Sequence, residues 1–178
     1  FESGRPLSYI RSTEEQRVSH VLRDVARGLA GSAPASIWTW SLTEGMRRDG
    51  QAVEPGTESP RGALEFIAAP PGPALFHLKD FHEPLRDSAD VRRRLRDLFE
   101  SCLDRQKFIV ITSPVRSIPE EVERSLMFLE LRPPDLAELV QFLREEIALL
   151  SAAAPTEEIL YQLARSLQGL TLDEARYA

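Results

Sequence analysis

Two spacings of apolar residues alternate along this chain. Runs with every second residue apolar predict strands, and stretches with apolar residues three and four apart predict helices. Leu7 to Arg11 (LSYIR) is the first strand. Ser12 follows, with Glu15 three residues on, the pattern of a capping box. Val18, Val21, Leu22, Val25, Ala26 and Leu29 then keep helical spacing, and Gly28 and Gly31 close the helix. Ser36 to Leu42 is the second strand, with Ile37 and Thr39 alternating against Trp38 and Trp40. Thr43 to Ser59 holds three glycines and a proline and reads as the longest loop.

Pro60 to Ala69 predicts a short helix, stopped by Pro70-Pro71-Gly72-Pro73. Ala74 to Lys79 is the third strand, ending at Asp80. Ser88 opens a charged helix to about Arg105, striped by Val91, Leu95, Leu98, Phe99 and Leu103. Lys107 to Ser113 is the most continuously apolar strand, so it belongs at the centre of a sheet buried on both faces. Ser125 to Leu131 is the fifth strand. Pro133-Pro134-Asp135 opens a helix to about Leu150. Thr156 caps another over Glu157 to Leu167, Gly169 ends it, and Leu172 starts a last one.

Strands alternating with helices predict right-handed crossovers and a mainly parallel sheet. The expected fold is α/β, a three-layer sandwich on five strands over residues 1–150, followed by a small helical piece over 151–178. Such sheets bind ligands beyond the carboxyl ends of their strands. The segments that matter are therefore Ser12 to Glu15, Thr43-Glu44, Asp80 to Glu83, Thr112 to Arg116 and Arg132 to Pro134.

Composition narrows the class. The chain has 178 residues, 42% hydrophobic and 28% charged, which fits one soluble domain, or one with a small appendage. Its one cysteine, Cys102, has no partner for a disulfide within the chain. No apolar run approaches the roughly 20 residues of a membrane helix, and a cytoplasmic protein is expected. A net charge of −6 argues against a nucleic-acid coat. Lys79 and Lys107 are the only lysines among 22 basic residues, so any chemistry that needs a lysine has two candidates. The chain starts at Phe1 without a signal-peptide pattern and stops at Ala178 inside a helical pattern, which we read as a fragment of a longer protein.

The strand ends are defined as much by what they lack. A nucleoside triphosphatase of this layout carries G-x-x-x-x-G-K-[ST] after its first strand, where backbone N–H groups wrap phosphate and the lysine reaches it. Here the strand runs into Ser12-Thr13-Glu14-Glu15, and two carboxylates occupy the helix N-terminus that would attract an anion. After the third strand only one acid stands where a metal ligand and a catalytic glutamate belong. If Asp80 takes the ligand position, Phe81 takes the glutamate's. If Asp80 takes the glutamate's, Lys79 takes the ligand's. An aspartate terminating a strand is the simpler reading. Thr112 and Ser113 stand where a polar residue could orient water, or simply satisfy backbone groups. His20, His77 and His82 show no metal spacing with Cys102, and His77 reads as a hydrogen-bonded core residue. Arg92-Arg93-Arg94 and Arg96 share a helix with Asp87, Asp90, Asp97, Glu100 and Asp104, which reads as an ion-paired face.

The whole pattern resembles an AAA+ module. The join Leu129-Glu130-Leu131-Arg132-Pro133-Pro134-Asp135-Leu136 resembles the AAA+ passage from the last strand to the lid. Leu163 to Ala175, with its glycine, polar cap and acid, is similar to the lid signature. The strings YIRSTEEQRV, LFHLKDFHEPL and GLTLDEA resemble the N-terminal half of a cyanobacterial and plastid-type AAA-domain family. In that family a degenerate module precedes one holding the working phosphate loop. The resemblance implies a P-loop-NTPase-like sheet with a helical lid and no catalytic residue of its own. Asp80 and Glu83 would be a degenerate acidic site, and Thr112 and Ser113 sensor-like. No cofactor or metal is expected in this chain, whereas ATP and Mg²⁺ would serve the full-length protein. Neighbouring AAA+ modules and an unidentified protein client are the implied partners. Arg116 and Arg124 lie where arginine fingers occur in such proteins.

Two other readings remain open at this level. A receiver-like domain would use Glu14-Glu15, a phosphorylated Asp80, Thr112 or Ser113, and Arg132-Pro133. An unconventional nucleotide hydrolase would hold its metal with Asp80 and Glu83.

Overall fold

The structure is a computed structural model that describes residues 5–29, 35–48, 51–69, 73–103, 105–150 and 155–178. Gly31, the 70–72 cluster and Asp104 lie outside the described residues. Six strands form one mixed sheet: β1 (Leu7–Arg11), β2 (Ser36–Ser41), β3 (Gly45–Arg48), β4 (Ala74–Lys79), β5 (Lys107–Ser113) and β6 (Met127–Glu130), in the order β3-β2-β4-β5-β1-β6. All neighbours run parallel except β3, which is antiparallel to β2. The expectation of five strands is corrected here, because β3 lies in the segment read as a loop.

Non-local contacts hold that segment. The Trp40 indole N–H donates to the Thr57 carbonyl at 2.7 Å, and the Met46 N–H donates to Thr57 Oγ1 at 2.8 Å. Thr57 is thereby buried beneath the hairpin. Gly45 makes the turn at φ 70, in the left-handed region that glycine adopts without steric cost.

The register sets both faces of the sheet. Leu7, Ile109, Phe76 and Trp38 lie in line across β1, β5, β4 and β2, as do Tyr9, Ile111, Leu78 and Trp40. This face joins one core with α2 (Pro60–Ala68) and α4 (Ala89–Leu103) through Ala63, Leu64, Ile67, Leu95 and Leu98. The opposite face bears Leu75, His77 and Val110, and α1 (Glu15–Leu29) packs on β2 and β4. Helices therefore cover both sides. Two short helices were not anticipated: α3 (His82–Asp87) and α5 (Glu120–Glu123).

One lysine is absorbed into this core. Lys107 is 1% exposed. Its Nζ donates to the Ile67 carbonyl at 2.6 Å and the Ala68 carbonyl at 3.1 Å, and Arg105 adds a third bond to Ala68. These are the last carbonyls of α2, which the helix itself leaves unpaired.

The receiver-like reading fails on topology. A flavodoxin-like sheet places its first strand between the second and third, in the order 2-1-3-4-5. Here β1 lies between β5 and β6.

The chain divides into two compact units, Phe1–Glu130 and Leu131–Ala178. The expected break after residue 150 moves to 130, because α6 (Leu136–Leu149) forms its own core with α7 (Glu157–Ser166) and α8 (Leu172–Tyr177). Leu139, Val140 and Phe142 pack there with Ala164 and Ala175. Capping boxes at Asp135–Glu138 and Thr171–Glu174 start α6 and α8.

Candidate functional site

The ends of β1, β4 and β5 meet at one cleft, as the parallel register requires. The Ser12 N–H donates to the Ser113 carbonyl, and the Asp80 N–H to the Thr112 carbonyl, both at 2.9 Å. The cleft is about 140 Å³, lined by Ser12, Thr13, Glu15, Asp80, Thr112, Ser113 and Pro114.

The β1–α1 turn runs from Ser12 to Glu14. The Glu14 N–H donates to Ser12 Oγ at 3.0 Å, and α1 starts at Glu15, so Ser12 begins a tight turn rather than capping the helix. Glu14 is buried, with its carboxylate 3.1 Å from Arg17 Nη1. Lys79 at the end of β4 reaches across to Glu15, Nζ to Oε2 at 2.8 Å. A carboxylate thus stands at the helix terminus and holds the nearest ammonium.

Asp80 follows β4 at φ 51, a left-handed conformation that aspartate tolerates better than most residues. Burial, then the charge of Glu15, pushes its carboxyl above the ordinary range. Thr112 Oγ1 is hydrogen-bonded to His77 Nε2 at 2.9 Å, and both residues are buried. Burial foremost, and Lys79 after it, lower the His77 pKa from 6.5 to about 4, so the ring is neutral. Ser113 Oγ accepts the Val115 N–H at 3.2 Å. The hydroxyls of both Thr112 and Ser113 therefore already have protein partners.

The structure brings Asp80, Thr112 and Ser113 together and leaves the other candidates outside. Glu83 is exposed in the first turn of α3 and does not line the cleft. Arg116 lies 4.7 Å from the Phe128 ring centre, with Nη2 3.2 Å from Glu123. Arg124 is exposed at the C-terminal cap of α5.

Tyr9 is a positioning residue that the sequence reading did not single out. It is fully buried; its hydroxyl donates to the Val115 carbonyl at 2.6 Å and accepts the Ser117 N–H at 3.3 Å. This pins the segment that carries Arg116. The only sequence signal was a tyrosine facing the core one strand away.

Comparison with known proteins places this architecture. Residues 1–131 match the family model described as SpoVK-like AAA ATPase, N-terminal domain. An uncharacterized AAA domain-containing protein ycf46 of Guillardia theta is 31% identical over 173 residues, which is 96% of this chain and 33% of that protein. Its counterpart in Trieres chinensis is 28% identical over the same length. This chain therefore spans about a third of those relatives. Among solved structures, a chain of the E. coli MS115-1 HORMA:CdnC:Trip13 complex aligns over 90% of this chain and 58% of its own length, with TM-score 0.56 and 13% identity. The replication initiator DnaA bound to AMPPCP and single-stranded DNA aligns over 97% and 53%, with TM-score 0.54 and 11% identity. At these identities the likeness is one of fold.

Proposed function

This chain belongs to the SpoVK-like AAA ATPase N-terminal domain family, and on that premise we propose that it is a non-hydrolysing AAA+-like module. It serves assembly, regulation or client binding in a larger ATPase whose hydrolysis resides in a C-terminal module. The β1–α1 turn carries this reading. It has no glycine and no lysine, it places Glu15 at the cleft, and Glu15 engages Lys79. A carboxylate at the helix N-terminus repels an anion that backbone N–H groups would otherwise wrap. Phe81 is buried directly after Asp80 and Glu83 lies outside the cleft, so an apolar ring stands where a water-activating acid would follow a metal-binding Asp80. That also weighs against the unconventional hydrolase.

Melting the chain with and without ATP and Mg²⁺ tests the proposal. A ligand present at 100 times its Kd adds about 2.7 kcal/mol of stability. Micromolar affinity would therefore raise the melting temperature clearly at millimolar ATP. No shift is expected, and a saturable rise refutes the reading.

Arg116 and Arg124 have a role within the same proposal, supplying positive charge to a neighbouring module's nucleotide. The stacking of Arg116 on Phe128 supports it, since the ring holds the guanidinium in place. Changing both arginines to alanine in the full-length protein should lower ATP turnover by orders of magnitude. Unchanged turnover removes the idea.

A further inference from the structure

α5 is a single turn of four residues between β5 and β6. A helix that short does not hold itself in water. Val122 anchors it through its burial in the core. One apolar anchor fixes where the turn sits and leaves open how it is rotated about that point. The rotation matters, because Glu123 takes the Arg116 guanidinium at 3.2 Å and Arg124 is the C-terminal cap of the same turn.

A second tie comes from α4. Arg92 Nε lies 3.2 Å from Oε1 of Glu121, the residue just before Val122. Its Nη1 donates to the Leu85 carbonyl at 2.8 Å and to the Arg86 carbonyl at 2.9 Å. These carbonyls belong to the last turn of α3, where a helix leaves acceptors unpaired and favours a cation. The Arg92 side chain is 20% exposed, so acceptors from two helices meet around a largely buried guanidinium. Bonds from a charged donor are about twice as strong as neutral ones.

We propose that Arg92 is a positioning residue for Arg116 and Arg124. By clamping α5 to the end of α3 it sets the rotation of α5, which keeps Arg116 on the Phe128 ring and Arg124 in one orientation. The inference rests on the reading that these two arginines serve a neighbouring module's nucleotide. The clamp needs an arginine, because a planar fork serves acceptors on two helices at once, whereas a lysine offers a single point charge. The basic run on α4 divides accordingly. Arg93 pairs with Asp97 on its own helix at 2.6 Å, and Arg92 reaches two other helices instead.

The first readout is the ring-current shift that Phe128 imposes on the Arg116 side-chain protons across 4.7 Å, measured by NMR on this chain labelled with ¹³C and ¹⁵N. Arg92→Lys and Glu121→Ala should each reduce that shift by about half or more, because each cuts the α5 end of the clamp. Glu121 is exposed, so its substitution should leave the fold intact, with amide shifts confined to α3, α5 and their neighbours. The second readout is ATP turnover of the full-length protein. Each variant should lower kcat about threefold or more with KM for ATP unchanged, since a misplaced charge stabilises the transition state less. Neither should have a further effect once Arg116 and Arg124 are both alanine. An undiminished ring-current shift in Glu121→Ala overturns the proposal. So do equal turnover losses with and without the two arginines, which mark a purely structural role. Unchanged turnover on removing both arginines sinks the arginine reading and this role with it. Loss of turnover there, with none in the Arg92 and Glu121 variants, sinks the positioning role alone.

Discussion

His77 shows how one buried side chain makes the fold depend on pH. Its pKa falls from 6.5 to about 4 because the sheet and α1 exclude water from the ring. A histidine depressed in the folded state favours folding while it is neutral. Its contribution is complete above about pH 6.5 and is lost as pH falls from there towards 4. A shift of this size corresponds to roughly 3 kcal/mol, at 1.36 kcal/mol per unit. Urea unfolding at pH 7 and pH 4.5 should show the native chain losing stability relative to His77→Gln, a variant that cannot titrate. Parallel pH profiles for the two proteins would reject this account. The histidine's core position was legible in the sequence from strand alternation. Its partner Thr112, 35 residues away, was not, because only the β4–β5 register brings the two together.

At the scale of elements, legibility followed periodicity. The parallel strands and the helices α1, α2, α4, α6 and α7 carry their spacing in the sequence, because each buries one stripe or one face. The strand β3 does not. Gly45-Met46-Arg47-Arg48 has no alternation of its own and is held by Thr57, Glu54 and Val53 further along the chain. Gly62 belongs to the same construction. It lies in the first turn of α2, and a Cβ there would drive into the Gly56 carbonyl. Helix propensity alone favours Gly62→Ala by up to about 1 kcal/mol. Crowding rigid backbone should reverse the sign, with a net loss of about 1–3 kcal/mol in urea unfolding. The Trp40 fluorescence should change as well, because its indole bonds to Thr57 in that segment. A more stable Gly62→Ala protein would show that the loop yields freely. The candidate site was legible in the same uneven way. Asp80, Thr112 and Ser113 follow from the rule of strand ends. The Lys79–Glu15 pair depends on side-chain geometry that no spacing encodes.

At the scale of the molecule, the two cores are separate sets of residues. The larger runs from Leu7 to Leu126 and the smaller from Leu139 to Ala175. A chain ending at Glu130 should therefore unfold cooperatively on its own, with the near-ultraviolet signal of its buried Trp40 intact. Loss of that cooperative transition would show that the larger core depends on the remaining residues. Residues 131–178 alone should be only marginally stable, because a unit that small buries too little apolar surface to hold itself firmly.

The placement of the two lysines has a practical consequence for binding measurements on this chain. Lys107 is sealed beneath the end of α2, so Lys79 offers the only accessible side-chain amine. Amine-directed coupling to a sensor surface through that side chain would tether the molecule beside its own cleft. It would break the Lys79–Glu15 pair and shield the strand ends from anything in solution. Attachment at an engineered cysteine elsewhere would leave them open, since Cys102 is buried and slow to compete.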